Sequence, residues 1–97
     1  MYWKIFQVDT DKDTERVKFR GFDELEYIGS KVNPEIYKCV FVGELPETDL
    51  EDMFTRFNTV GHPDYIGHSM SVSDVLVNEH GAYFCDNIGF KKIDFKR

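Results

Sequence analysis

The chain has 97 residues, of which 41% are hydrophobic, 15% aromatic and 31% charged. This mixture is typical of a globular chain and argues against a disordered or fibrous one, and from the length we expect residues 1–97 to form a single domain. The 12 basic and 18 acidic residues give a formal net charge of −6, which argues against direct binding to nucleic acid. Because the chain lacks both a signal-peptide pattern and an apolar run of about 20 residues, we expect a cytoplasmic protein with no membrane contact.

The first third of the chain predicts a strand and a short helix. Aromatic and β-branched residues over 2–8 favour a strand, followed by a polar loop at 9–15 and a short extended piece at 17–19. Apolar residues recur at every third position, at Phe22, Leu25 and Ile28, and Gly29 follows the last of them. This pattern predicts a helix over about 22–28 with a glycine C-cap.

The middle of the chain predicts a second strand and the main helix. Residues 36–42 alternate in a way that favours a strand beginning after Pro34. Thr48 and Glu51 have the spacing of a capping box, which predicts an amphipathic helix over about 48–58 capped by Thr48. Its apolar residues form an i, i+3, i+4, i+7 stripe: Leu50, Met53, Phe54 and Phe57.

The last third predicts an irregular segment followed by strands. Residues 75–77 and 82–85 favour a hairpin turned at 78–81, and 92–95 favour an edge strand. The order of elements indicates an α+β domain, with a mostly antiparallel sheet and both helices packed on one of its faces. The terminal segment 91–97 has four basic residues and one acid, so this end of an otherwise acidic chain could dock an acidic partner.

The two cysteines do not form a motif. Cys39 and Cys85 lie in apolar, strand-like runs, and we expect two buried, reduced thiols. A single bridge between adjacent strands is the alternative.

The first acidic cluster has only the opening of a calcium loop. Asp9, Asp11 and Asp13 have the spacing that begins an EF-hand. Thr14 and Arg20 stand where that loop needs a glycine and a bidentate glutamate, so a solvated turn is the favoured interpretation.

Residues 61–74 and the start of the last hairpin turn hold most of the side chains that can do chemistry. We take the following as candidates for a functional or structural role, and assign none as catalytic: His62, Asp64, Tyr65, His68, Ser69, Ser71, Ser73, Asp74, Tyr83 and Asp86. Zinc binding would use the two histidines and the first acid, with Cys85 or Asp86 from the hairpin. Their spacing does not favour it, and we expect no metal and no cofactor.

Nucleophilic catalysis is a second possibility for the same residues. It would need Ser69 or Cys85 as nucleophile, a loop histidine as base, and Asp74 or Asp86 to orient that base. No glycine elbow surrounds any of the serines.

The favoured interpretation of this loop is structural. Ser71 and Asp74 have the Ser-x-x-Asp spacing in which polar side chains accept hydrogen bonds from backbone N–H groups at a tight turn. Gly61 and Gly67 can supply unusual backbone angles. We therefore expect the polar side chains to bond inward and His68 to act as a hydrogen-bonded hinge residue.

Several segments of the chain carry a family resemblance. They are Tyr37–Gly43, Phe57-Asn58, Pro63-Asp64-Tyr65, Gly67–Val75, Tyr83 with Asp86, and Gly89-Phe90. Together they resemble the YodL-like domain family over roughly residues 16–96, above all in the Ser-Val-Ser-Asp run. Met70 stands where the family usually has leucine, and Asn87 stands where it usually has serine.

The resemblance implies a bacterial protein of the kind found alone or as a module in proteins of mobile elements, with no established catalytic activity. We therefore expect a small non-enzymatic interaction or regulatory module whose partner is another protein. One alternative is an enzyme or metal-binding domain that uses residues 62–74 with Cys85 and Asp86. Another is an acidic inhibitor that imitates DNA.

Overall fold

The computed structural model describes residues 1–14 and 16–96. Its strands are β1 (Tyr2–Val8), β2 (Tyr37–Glu44), β3 (Val75–Asn78), β4 (Gly81–Cys85) and β5 (Phe90–Ile93). Its α-helices are α1 (Phe22–Ile28) and α2 (Leu50–Asn58), and single 3₁₀ turns lie at Thr10–Lys12 and Pro34–Ile36. The strands form one antiparallel sheet in the order β2-β1-β3-β4-β5. The predicted α+β class is confirmed.

Two hydrophobic clusters cover the two faces of the sheet. The α2-face cluster contains Trp3, Ile5, Val40, Phe41, Leu45, Met53, Phe57, Met70 and Leu76. The α1-face cluster contains Phe6, Val8, Val17, Leu25, Ile36, Tyr37, Val75, Ala82 and Phe84. Because neighbouring residues of a strand point to opposite faces, the membership of Val75 and Leu76 in different clusters places the clusters on opposite sides.

The two helices therefore cover opposite faces, and the expectation that both pack on one face is wrong. Leu25 carries α1 into one cluster, and Met53 and Phe57 carry α2 into the other. The physical reason lies in β1, whose side chains are apolar on both sides: Ile5 faces α2 and Phe6 faces α1. Each apolar face needs its own cover.

An irregularity in β2 prepares the place where the candidate loop docks. Ile5 is paired with Phe41, and Phe6 is paired with Cys39, so Val40 is an extra residue on β2. Such a bulge bends the strand and interrupts the alternation, so that both Val40 and Phe41 enter the α2-face cluster. The carbonyl of Val40 accepts the N–H of Ile66 at 3.1 Å.

The main helix begins two residues later than predicted. Asp49 is its N-cap, and its Oδ1 accepts the N–H groups of Glu51 at 2.7 Å and Asp52 at 3.4 Å. The predicted capping box with Thr48 is therefore wrong. A carboxylate is a charged acceptor that also interacts favourably with the positive end of the helix, which explains why the acid takes the position.

The short helix has the predicted bounds. Gly29 follows it in the left-handed conformation, with φ of 77°, and its N–H bonds to the carbonyls of the last turn. The neighbouring segment 17–19 is a turn and not an extended piece, since Phe19 has φ of 68°. Neither helix in the described residues is long and apolar enough to cross a membrane.

The C-terminal strand begins earlier than predicted and ends at Ile93, where the chain leaves the edge of the sheet. The ring of Phe95 then lies 5.0 Å from that of Phe6 and 5.2 Å from that of Tyr37. This contact anchors the chain end on the α1 face, as far as the described residues extend.

Candidate functional site

The first half of the candidate loop is held by aromatic contacts with the α2-face cluster. The ring of Tyr65 lies 4.7 Å from that of Phe57, and the ring of His62 lies edge-on to Phe41 at 5.0 Å. The loop is also hydrogen-bonded to the bulge in β2, as described above. These contacts fix the direction in which the next residues, 67–74, enter the domain.

The second half of the loop closes on a buried polar pair. Gln7 on β1 is 0% exposed and Asp74 is 1% exposed. The Gln7 Nε2 donates to Asp74 Oδ2 at 2.9 Å, and the same oxygen accepts the backbone N–H of Ser71 at 2.9 Å. The bond from the Ser71 N–H to Asp74 is the one that their spacing predicted, whereas the Ser71 hydroxyl, expected to bond as well, is buried without a hydrogen-bond partner among the described residues. Both partners of the pair are buried, so each satisfies a group that water does not reach.

Gln7 also forms hydrogen bonds with the backbone of the loop. Its Oε1 accepts the N–H of His68 at 3.1 Å, and its Nε2 lies 2.9 Å from the His68 carbonyl oxygen and 2.8 Å from the Tyr65 hydroxyl oxygen. The Tyr65 hydroxyl in turn donates to the His68 carbonyl. A Cβ atom on Gly67 would lie 2.2 Å from Gln7 Oε1, so only glycine fits at this close approach.

Sequence reasoning missed Gln7. The signal that could have found it is a carboxamide in a run that is otherwise apolar and aromatic, Ile5-Phe6-Gln7-Val8. A polar side chain at such a position needs buried hydrogen-bond partners, which here come from the loop.

Burial raises the pKa values of Asp74 and of the two tyrosines near it. It raises the pKa of the Asp74 carboxyl to about 7, while the hydrogen bonds from the Ser71 N–H and the Gln7 amide act in the opposite direction. Burial and the nearby charge of Asp74 raise the pKa of Tyr65 to about 12. The same two causes raise the pKa of Tyr37 above its usual value. The phenols therefore stay protonated as hydrogen-bond donors.

Ser73 ties the loop to the α1 face. It is buried and has φ of 84°, an uncommon conformation for a residue with a side chain. Its hydroxyl oxygen accepts the N–H of Phe19 at 3.0 Å, and its carbonyl accepts the hydroxyl of Tyr37 at 2.7 Å. The bonds to Phe19 and Tyr37 stabilise the turn that precedes β3.

The structure does not assemble the nucleophilic arrangement. Ser69 is exposed, and the His68 Nδ1 lies 2.7 Å from the carbonyl oxygen of Ser69 instead of its hydroxyl. Burial, with the charge of Asp74 adding, raises the pKa of the Cys85 thiol to about 12. A thiol with that pKa is protonated near neutral pH, which is the opposite of an activated nucleophile.

Nor do the side chains considered for zinc binding converge. The His62 Nδ1 accepts the N–H of Asp64 at 3.0 Å and lies 3.9 Å from the Asp64 carboxylate. Across residues 1–14 and 16–96, no group of three or more His, Cys, Asp or Glu side chains is placed to hold a metal ion. In the first acidic cluster, Asp13 accepts the N–H groups of Val17 and Lys18.

The remaining candidates lie outside this loop. Tyr83 on β4 has the Lys92 ammonium 5.8 Å from its ring. The Asp86 Oδ1 accepts the N–H of Phe22 at 3.0 Å, and so caps α1, whose own N-cap residue has no side chain. Both cysteines are free; Cys85 is buried as expected, whereas Cys39 is only partly buried, so the expectation of two buried thiols is wrong for Cys39.

The fold and the loop together define a small α+β domain with helices on both faces of an antiparallel sheet, whose Ser-Val-Ser-Asp turn is bonded to the inner strand β1. The family model of the YodL-like domain matches residues 2–95, and the chain belongs to that family. No curated protein shows a significant match. No solved structure does either.

Proposed function

We propose that this domain is a non-enzymatic module that acts by binding another protein. The observation that carries the proposal is the inward bonding of the candidate loop. Asp74, Ser73 and the Tyr65 hydroxyl are all engaged by backbone groups or by Gln7. Side chains used in this way hold a turn in place and are not available to a substrate.

The surface supplies the positive support. A groove of about 490 Å³ runs beside α1, and its apolar lining includes Phe22, Leu25, Val32 and Ile93. Concave surfaces with an apolar floor and a polar rim are typical of binding sites.

The proposal also covers the cellular setting of the protein. The family resemblance supports a bacterial cytoplasmic protein, linked to mobile elements, whose partner is a protein of the host or of the element. The excess of acidic residues, 18 against 12 basic ones, supports a protein partner over a nucleic acid.

Affinity capture tests the proposal against the enzyme alternative. The tagged protein and a His68→Gln/Ser69→Ala variant are used as baits in lysate of the source bacterium, with an unrelated acidic protein of equal size as the control. We expect one polypeptide to be enriched about equally by both baits, because the side chains of His68 and Ser69 do no chemistry. Absence of any polypeptide enriched over the control would contradict the proposal.

A covalent probe completes the test. The folded protein is treated with a fluorophosphonate, which labels activated serines, and with iodoacetamide near neutral pH. We expect no serine labelling, and labelling of Cys85 only after unfolding, since its thiol is buried with a raised pKa. Rapid labelling of Ser69 in the folded protein, abolished by Ser69→Ala, would support the enzyme instead.

A further inference from the structure

Within residues 1–14 and 16–96, the outer edge of β5 has backbone groups that no other strand pairs with. β5 is at one end of the sheet order, and within the described ranges it is paired only with β4. The orientation of its backbone follows from two bonds at the turn. Asp86 N–H donates to the Gly89 carbonyl, whereas Cys85 bonds away from β5, to the backbone of Ser73 and Asp74.

Paired residues of an antiparallel ladder alternate between bonded and non-bonded pairs. Since Cys85 is opposite Phe90 and bonds elsewhere, Phe90 is in a non-bonded pair, and the same holds two residues on for Lys92 opposite Tyr83. The N–H and C=O groups of Phe90 and Lys92 therefore point outward. An added strand can bond to all four groups.

The same edge borders the groove beside α1. The groove is lined by β5 residues and by α1 and the loop after it, with the apolar side chains of Leu25, Val32 and Ile93 in its floor. Ile93 packs with the α1-face cluster, so the groove lies on that side of the sheet. On an added strand, every second side chain would point into this groove.

Beside the groove, basic side chains outnumber acidic ones, unlike in the chain as a whole. Four lysines surround it: Lys31, Lys91, Lys92 and Lys96. The acids that line the groove are Glu26 and Asp94, and Asp94 lies 3.9 Å from the Lys96 ammonium; Glu51 and Asp86 lie beside Phe90, at the other end of β5. The Lys92 side chain is on the α2 side of β5, where it faces Tyr83. The side chains of an added strand that point away from the groove would be on that same side, next to Lys92.

Two copies of β5 are poorly suited to each other. Antiparallel pairing of this edge with itself would bring Lys91 and Lys92 of the two copies together. Like charges on facing strands are destabilising, and lysines on an edge strand discourage such pairing. A strand with acidic residues would be attracted to these lysines instead of repelled by them.

The geometry points to β5 as the docking edge for an extended acidic segment of the partner protein, which adds to the sheet with apolar side chains in the groove and acidic side chains toward Lys92. This inference rests on the proposed function, because it names where and with what chemistry the module binds its partner.

Peptide titration tests the inference. The 15N-labelled protein is titrated with a short capped peptide that alternates glutamate and valine. One control peptide has lysine in place of glutamate, and another has the same residues with the valines grouped together. We expect the alternating peptide to bind at least about tenfold more tightly than both controls. The largest shifts should fall on the amides of Phe90 and Lys92, with slowed hydrogen exchange at both.

Two variants separate the backbone from the charge. Lys92→Pro removes an outward N–H without removing a bond to β4, and it should weaken binding at least about tenfold. Lys92→Ala keeps the N–H and should weaken binding about two- to fivefold. Val32→Asp puts a charge in the groove and should abolish binding. This variant keeps the inference testable if Lys92→Pro fails to fold.

The contradicting results are distinct from those of the proposed function. Equal binding of the grouped peptide, shifts elsewhere, or no shifts at about 1 mM peptide would overturn the inference. Dimerisation through β5 in sedimentation would overturn it in favour of a second copy. If Lys92→Pro still captures the partner that the wild type captures from lysate, β5 is not the docking edge, and the proposal that the domain binds another protein is unaffected. If neither captures a partner, the proposed function itself fails.

Discussion

The Gln7 Nε2 atom lies 2.9 Å from the Asp74 Oδ2 atom, although the two residues are 67 positions apart in the chain. Their pairing joins β1, next to the middle of the sheet, to the turn that precedes β3. The residues that made the loop a candidate for chemistry are thus bonded to the residues that build the fold. The loop is a structural connection, and each of the following predictions depends on that view or on a correction to the sequence analysis.

The stability of the protein should depend on pH through Asp74. Its folded pKa of about 7 is above the usual aspartate value of about 3.9, so the folded state binds the proton more tightly than the unfolded chain. The stability contributed by the protonated carboxyl is full below about pH 4 and is lost as the pH rises toward 7. Urea unfolding of wild type and Asp74→Asn between pH 5 and 7 should diverge by up to about 1.4 kcal/mol per pH unit, with the wild type losing stability. Parallel profiles for these two proteins would contradict the assignment, and Asp64→Asn serves as an exposed control.

The N-terminus of α2 offers a test between two neighbouring residues. Asp49→Ala removes the acceptor of two backbone N–H groups and should lower the free energy of unfolding by about 0.5–2 kcal/mol. Thr48→Ala should change it by less than about 0.5 kcal/mol, because the Thr48 side chain is outside the cap and exposed. Chemical denaturation of the two variants measures both values. A larger loss for Thr48→Ala than for Asp49→Ala would show that Thr48 caps the helix, as the capping box predicts.

The apolar stripe of α2 is not uniformly buried. Phe57 is buried against Phe41 and Tyr65, whereas Phe54 is half-buried and contacts Phe90 at a ring distance of 6.4 Å. Phe57→Ala should therefore cost about 3–5 kcal/mol. Phe54→Ala should cost clearly less, because part of its ring already contacts water. Equal losses in urea unfolding would show that the two rings are equally buried.

Gly67 tests the close approach of the loop to β1. Gly67→Ala would place a methyl group 2.2 Å from Gln7 Oε1, so the loop must move away and lose bonds to Gln7. We expect a loss of about 1–3 kcal/mol and faster hydrogen exchange at the His68 amide, which donates to that oxygen. The control is Gly61→Ala, where a Cβ would meet nothing within 4 Å and only the positive φ is strained. Unchanged exchange at His68 in Gly67→Ala would contradict the proposed packing.

Local patterns in the sequence predict much of the fold. The bounds of β1 and α1 agree with the structure because a run of β-branched and aromatic residues, or an apolar repeat ended by Gly29, determines them within a few positions. The start of α2 was wrong because two adjacent residues, Thr48 and Asp49, can both cap a helix. Only the backbone conformation decides between them.

The rest depends on contacts between distant parts of the chain. The division of the helices between two faces follows from a sheet that is apolar on both sides, and a local pattern does not show on which side a helix returns. The cap of α1 by Asp86 and the bonding of the loop to Gln7 join residues more than sixty positions apart. The sequence indicated that Asp74 bonds inward, and it did not identify the strand that receives it.

The central claim, that the loop is structural, is tested most directly by the thermal unfolding of Asp74→Ala at pH 6. Removing the carboxyl leaves the Ser71 N–H and the Gln7 amide without this acceptor, at a cost of about 1–3 kcal/mol. At about 4–8 °C per kcal/mol, the variant should melt at least about 4 °C below the wild type, while Ser69→Ala, on the exposed part of the loop, should melt with it. An Asp74→Ala protein that melts as high as the wild type, or higher, would contradict the structural role and indicate a functional site, since removal of strained functional groups is often neutral or stabilising.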